Sequence, residues 1–381
     1  MNSITGIAIY FGVLLLFLLV FRKKLVVNKF LKIFYLALIR TKLGLSLMNK
    51  IAKKFPKTLF YTNYFSIFLG FVGMFYVSYD ILNGFYNLFS KSSAVTVSLV
   101  LPFKLNGAFY VPFAYWIISV IIVMIVHEFS HGIFARHNKI KVKASGFAVL
   151  GAILPFVPGA FVDIDEKTMS KKSLRAQLGV LSAGPFANML TGTLFLIFML
   201  ATSQIISSTH INDGVLITEV ANNSPAKING FSKGDVIRNI NGVTILTVDD
   251  FVKSFEGKNP NDSININEKK VILASNPDSS KSPYFGVFVE QNIVLKNAYF
   301  AYLVLAKILL WVKELFFWLF AINIGVGAFN LLPLGLLDGG RMFKIVICKF
   351  LKHKHANNVL TALNFTLTAV ILVSIFNSFV G

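Results

Sequence analysis

The run Ile117–Arg136, IISVIIVMIVHEFSHGIFAR, carries His127, Glu128 and His131 as an H-E-x-x-H box within a stretch apolar enough to cross a bilayer. Residues four apart share one face of a helix, so His127 and His131 present two imidazoles to a single metal ion. Glu128 lies one position round, placed to act on a metal-bound water rather than to bind the metal. Ionisable groups inside a membrane span are costly, which makes a functional reading the default there. A core or interfacial histidine would account for one such residue, not for three. A soluble amphipathic helix does not fit, because Val111–Val126 offers no polar face.

At 381 residues, with 55% of them hydrophobic, the chain reads as a polytopic α-helical membrane protein. The net charge of +20 does not point to nucleic acid. In a membrane protein basic residues mark cytoplasmic loops, and no aromatic stacking positions are interleaved with these lysines. Cys348 is the only cysteine, so disulfides and cysteine-held zinc are excluded. A metal must be held by His, Asp or Glu.

The pattern of apolar runs predicts about six transmembrane helices. Ile4–Phe21 is the first, with no basic residue before it, which argues against a cleavable signal peptide. Arg22–Lys57 follows with eleven Lys or Arg and no acidic residue, and is therefore cytoplasmic. Its middle, about Phe30–Leu45, is expected to lie on the membrane as a basic amphipathic helix. Leu59–Val77 is the second span, Leu82–Tyr110 an external loop, and Val111–Ala135 the third span. His127 would lie about 13 Å in from the cytoplasmic end of that helix.

Ala144–Val162 is as apolar as a span, but basic residues flank it on both sides and Pro155, Pro158 and Gly159 divide it. It is expected to form a β-hairpin dipping into the membrane, either as a structural plug or with its edge available to an extended substrate. Leu178–Ile206 is the fourth span and carries Gly184, Pro185 and Asn188. Asn188 serves either as interhelical glue or as a hydrogen-bond partner for substrate. From Ile211 to Lys296 short β-type runs alternate with polar turns, which marks a small soluble domain on the external side. Ala298–Lys313 suits the interface, and Glu314–Leu337 is the fifth span. The fifth span ends in FNLLPLGLLDGGR, where Asp338 falls on broken backbone at about the depth of His127. A third metal ligand is needed there. Asn364–Val380 is the sixth span. The divisions are 1–110, 111–210, 211–296 and 297–381.

The H-E-x-x-H box, the N-x-x-P-x-x-x-x-D-G box of Asn330, Pro333, Asp338 and Gly339, and the intervening G-P-x-x-N of Gly184, Pro185 and Asn188 together resemble the site-2 protease family. The resemblance covers about Val111 to Leu351, and the first two spans and the last lie outside it. Members usually carry a second proline just after Pro333, where Gly335 and Leu336 stand here. The resemblance implies one zinc ion per chain, bound by His127, His131 and Asp338, with Glu128 as general base and Asn188 near the reaction intermediate. It also implies that Ile211–Ile293 is a PDZ-like α+β domain, which either grips a substrate C-terminus through Gly214, Val215, Leu216 and Ile217 or excludes bulky external domains as a size filter.

Two functions follow from this. The first is an intramembrane zinc endopeptidase that cleaves single-span membrane proteins already trimmed outside, and so releases a cytoplasmic regulator. The second is a catalytically silent membrane scaffold that binds partner C-termini through the PDZ-like domain. Four polar groups kept in lipid favour the enzyme. The expected location is a prokaryotic cell membrane, with the PDZ-like domain outside and the metal site nearer the cytoplasmic face.

Overall fold

The computed structural model describes residues 3–30, 34–89, 98–105, 108–152, 155–276, 279–295 and 300–380. The chain divides into two compact units, Met1–Met199 with Glu314–Gly381, and Leu200–Lys313.

The first unit begins with helix α1 (Ser3–Val20) and the strands β1 (Leu25–Phe30) and β2 (Phe34–Thr41). Helix α2 (Leu45–Lys54) and the long helix α3 (Pro56–Phe89) follow, then the short strands β3 (Val100–Leu101) and β4 (Phe109–Tyr110). The H-E-x-x-H helix is α4 (Phe113–His137). After it come the hairpin strands β5 (Val142–Gly151) and β6 (Pro155–Ile164), the one-turn helix α5 (Glu166–Ser170) and α6 (Leu174–Thr209).

Strand β2 corrects the amphipathic helix expected at Phe30–Leu45. Alternate residues Ala37 and Ile39 are buried at 1% exposure, the period of a strand. β2 pairs with β1 on one side and β5 on the other, giving an antiparallel sheet in the order β1-β2-β5-β6. The partner that selects strand over helix lies about a hundred residues later, at Gly146–Gly151. The amphipathic basic helix is displaced to α2, which buries Met48 and Ala52. The hairpin expected at Ala144–Val162 is present as β5–β6. Its prolines explain why the sheet ends at β6, since proline lacks the N–H that an interior strand must donate. By strand alternation Pro158, Ala160 and Val162 turn their backbone groups away from β5.

The second unit contains β7 (His210–Val220), the single-turn α7 (Pro225–Ile228), β8 (Val236–Ile237), β9 (Asn239–Ile240), β10 (Val243–Thr244) and α8 (Val248–Lys253). Strands β11 (Ser263–Ile266), β12 (Lys269–Ile272), β13 (Ala274–Asn276), β14 (Ser279–Tyr284) and β15 (Val287–Leu295) complete it. Its core is aliphatic and aromatic, including Val215, Ile217, Phe231, Ile237, Ile264 and Phe285. Ser224 caps α7 and a Thr247–Asp250 capping box starts α8.

The chain returns to the first unit through α9 (Phe300–Asn330), breaks, and ends with α10 (Asp338–Phe350) and α11 (His353–Val380). The separate interfacial segment and fifth span expected at Ala298–Lys313 and Glu314–Leu337 are thus one continuous helix, followed by the break.

Four helices are long and apolar enough to cross a membrane: Pro56–Asn87, Phe113–His137, Leu174–Ser207 and Lys354–Phe379. The protein is accordingly a multi-pass integral membrane protein. Among the described residues, four of the expected six spans thus meet that length and composition. The apolar part of α1 is the shorter Ala8–Val20. In α9, Lys307, Lys313 and Glu314 confine the uncharged stretch to Leu315–Asn330. Much of Leu82–Tyr110, expected as a loop, begins as helix, because α3 runs on to Phe89.

Helices α6 and α9 meet through a reciprocal pairing. Asn188 of α6 packs on Gly327 of α9, and Asn323 of α9 packs on Gly192 of α6. Small residues let membrane helices approach closely, and this seam fixes the helix that carries Asn188.

Candidate metal centre and active site

His127 and His131 lie one helical turn apart on the buried face of α4, at 7% and 6% exposure. Asp338 reaches both. Its Oδ2 lies 3.0 Å from His127 Nε2 and 3.1 Å from His131 Nε2. One ligand atom from each of the three falls within 4.8 Å of the others. The chain break before Asp338 makes this approach possible. Gly339 and Gly340 fit there because a Cβ on either would lie about 2 Å from the carbonyls of Leu331 and Leu334. The first turn of α10 therefore rests directly on the broken segment.

The hydrogen-bond partners identify what the three groups await. His131 Nδ1 is 2.6 Å from the carbonyl of Val180, which can only accept, so the ring hydrogen sits on Nδ1. The lone pair on Nε2 then faces a carboxylate oxygen, itself an acceptor. Two acceptors 3.1 Å apart need a cation between them, a proton or a metal. Gly184 supplies the room. A Cβ there would lie 2.4 Å from His131 Nε2 and 2.7 Å from His127 Nε2, so the space in front of both ligand nitrogens is kept clear of side chain. Two imidazoles and one carboxylate are a zinc-type donor set, with a position left for water. The residues fit a zinc ion.

Asn188 is fully buried, and its amide lies 3.1 Å from His127 Nδ1 while its Oδ1 has no partner. Glu128 points to the cavity side of α4, and its Oε2 accepts from the backbone N–H of Val162 at 3.0 Å. A cavity of about 430 Å³ opens onto these groups and is also lined by Asp163, Glu166, Asn330 and Arg341. At its rim Arg341 donates to Glu166 Oε1 at 2.5 Å, linking α5 to α10.

All five residues assigned to the metal and its chemistry thus come together. Gly214, Val215, Leu216 and Ile217 do not present a binding edge. They lie within β7, with β15 on one side and β8 on the other. Val215 and Ile217 are fully buried, and Ile217 N–H already donates to Asp235. The pairing of Val215, Leu216 and Ile217 takes up backbone groups that a peptide terminus would need, and β15 and β8 are the outer strands of that sheet. The sequence reading missed Val162 and Val180. Both act through the main chain, which leaves no residue-type signature.

A buried His-His-Asp cluster beside a glutamate, with both histidines on a helix long and apolar enough to cross a membrane, is a metallopeptidase type of site. Residues 115–374 match peptidase family M50. The chain belongs to that family. An uncharacterized protein of Methanocaldococcus jannaschii is 30% identical over 308 residues, 79% of this chain and 75% of that protein. The PDZ domain of an SdrC-like protein from Listeria monocytogenes is 22% identical over 20% of this chain and 87% of that domain. Its TM-score is 0.18.

Proposed function

We propose that the protein is a zinc-dependent intramembrane endopeptidase that cleaves transmembrane segments of single-span membrane proteins. The observation that carries this reading is the meeting of His127, His131 and Asp338 at one point, with Glu128 beside them, in a helix apolar enough to span a bilayer.

Zinc held by the three ligands would supply an acidified water and an electrophilic partner for a carbonyl oxygen. Glu128, fixed through Oε2 by Val162, has Oε1 to take a proton from that water and return it to the leaving amine. An amide turned over at Asn188 fits the same space. Its Oδ1 then accepts from His127 Nδ1–H, which leaves His127 Nε2 for the metal, and its Nδ2 remains for the carbonyl oxygen of a substrate. Asn188 thereby orients His127 and offers a donor to the reacting carbonyl.

A transmembrane helix hides its carbonyls in its own hydrogen bonds, so the substrate must unwind before attack. No strand pairs beyond β6 among the described residues. Of its outward groups, Pro158 has no N–H and Val162 gives its own to Glu128, which leaves Ala160 to pair with an unwound segment. The second unit is proposed as PDZ-like, acting either as a size filter or as a recruiter of trimmed termini at the outer edge of β15.

The test is zinc content alongside turnover of a membrane-embedded reporter. Wild type should hold one zinc and cleave, His131→Ala and Asp338→Asn should lose both, and Glu128→Gln should keep zinc and lose cleavage. Cleavage that persists in Glu128→Gln overturns the assignment. A wild type that holds zinc and cleaves no membrane segment favours the scaffold.

A further inference from the structure

Helix α2 sits between a charged surface and the metal-binding helix. It ends at Lys54, and the spanning helix α3 begins at Pro56, so α2 is juxtamembrane by a single residue. Its inner face packs on α4. A Cβ on Gly132, the residue after His131, would lie 2.4 Å from Met48 Sδ, and one on Gly44 would lie 3.0 Å from the Phe129 ring. Its outer face is basic, with Lys50, Lys53 and Lys54 exposed and Leu47 beside them at 51% exposure. Leu43 and Phe55, at 67% and 46%, flank the helix at either end. The first acidic residue in the chain is Asp80, so nothing in α2 or before it neutralises this face. The approach to α2 is also tied to the hairpin, since Thr41 Oγ1 donates to the Ser145 carbonyl at 3.0 Å.

We propose that α2 docks anionic lipid headgroups through Lys50, Lys53 and Lys54, and that the Met48–Gly132 contact carries this docking into the helix of His127, Glu128 and His131. Lysines beside exposed leucine and phenylalanine suit the headgroup boundary, where ammonium groups meet phosphate and apolar side chains enter the acyl layer. Met48 meets Gly132 with no side chain between it and the α4 backbone, while Ala52 packs beside Phe134 and Ala135, so a small movement of α2 at Met48 shifts the backbone that holds a metal ligand. The inference rests on the membrane-spanning helices and the packing of α2. It does not require that the protein cleave anything.

The test uses the full chain with Cys348→Ser, a nitroxide at Ser46→Cys on the exposed face, and vesicles of phosphatidylcholine alone or mixed equally with phosphatidylglycerol. The anionic vesicles should immobilise the label and shield it from a water-soluble relaxation agent, and salt should weaken the effect. Each lysine at an anionic surface favours docking about five-fold, so Lys50→Gln with Lys53→Gln and Lys54→Gln should lower the docked-to-undocked ratio by about two orders of magnitude. Hydrogen exchange across Phe129–His137 should slow several-fold on anionic vesicles in the unsubstituted protein. In Met48→Ala it should not change, although the label still docks. Equal label behaviour on both vesicles overturns the docking surface. Soluble polyglutamate that matches the anionic vesicles reassigns the face to an acidic protein segment and also overturns it. A lipid response of Phe129–His137 that survives Met48→Ala overturns the coupling.

Discussion

Val162 donates its backbone N–H to Glu128 Oε2 at 3.0 Å, across 34 residues of sequence. The hairpin edge thereby holds the carboxylate beside the metal ligands. Val162→Pro deletes this donor at a position where β6 has no further strand to serve. A hydrogen bond to a charged group contributes about 1.5–3 kcal/mol. Turnover is expected to fall about 10- to 100-fold with zinc retained, measured as kcat beside metal content.

Gly184→Ala places a methyl in the space before both imidazole Nε2 atoms. The variant should fold and insert normally, because the new atom meets ligand nitrogens rather than packed core, yet bind zinc far more weakly. Equilibrium zinc titration in detergent gives the readout. Unchanged affinity would show that the metal does not sit between these nitrogens.

Asn188→Ala removes the only side chain bonded to His127 Nδ1 among the described residues. Outer partners of metal-binding histidines contribute about 10- to 100-fold in metal affinity or activity. An orienting role lowers zinc affinity, whereas a role confined to the substrate carbonyl lowers kcat alone. Zinc titration and kinetics on the same variant separate them.

Gly192→Ala tests the α6–α9 seam. The added Cβ would lie 2.9 Å from the Ile324 side chain and 3.2 Å from Asn323 Cβ. Overpacking of this kind costs about 1–3 kcal/mol, offset by up to about 1 kcal/mol of helix propensity. A lower Tm in detergent is the expected result, with zinc stoichiometry preserved.

Asp165 begins α5 at the foot of the hairpin, where Lys143 and then Thr168 donate to it and hold its carboxyl down at about 2. A depressed folded-state value stabilises the structure above the unfolded carboxylate range and is lost as pH falls through the folded value. Protection of the Glu166–Ser170 amides, corrected for intrinsic exchange, should hold at pH 5 and decline toward pH 2. Asp165→Asn should remove that dependence.

The metal site was legible because its chemistry needs particular side chains at particular spacings. His127, Glu128 and His131 declare a shared helix face, and the glycines and proline around Asp338 declare a break. Long-range pairing was not legible. Phe34–Thr41 lies among apolar and basic residues that suit an interfacial helix, and its pairing with Leu25–Phe30 on one side and Ser145–Gly151 on the other makes it a strand. Gly214–Ile217 reads as the start of a strand, but nothing local tells that both edges at Val215 and Leu216 are taken by strands formed later in the chain. Main-chain partners such as Val162 and Val180 are invisible for the same reason, since any residue with a backbone could stand there.

With the carbonyls of Leu331 and Leu334 lying against Gly339 and Gly340, Asp338 has no freedom apart from the whole of α10. One wall of the cavity is therefore an anvil, unable to yield without dismantling the metal ligands. Of the hairpin, β5 is laddered to β2, whereas β6 is an outer strand whose Val162 lines the cavity and bonds Glu128. A guest too wide for the cavity must therefore displace the outer edge of β6, so that strand is the door and the aspartate helix its frame.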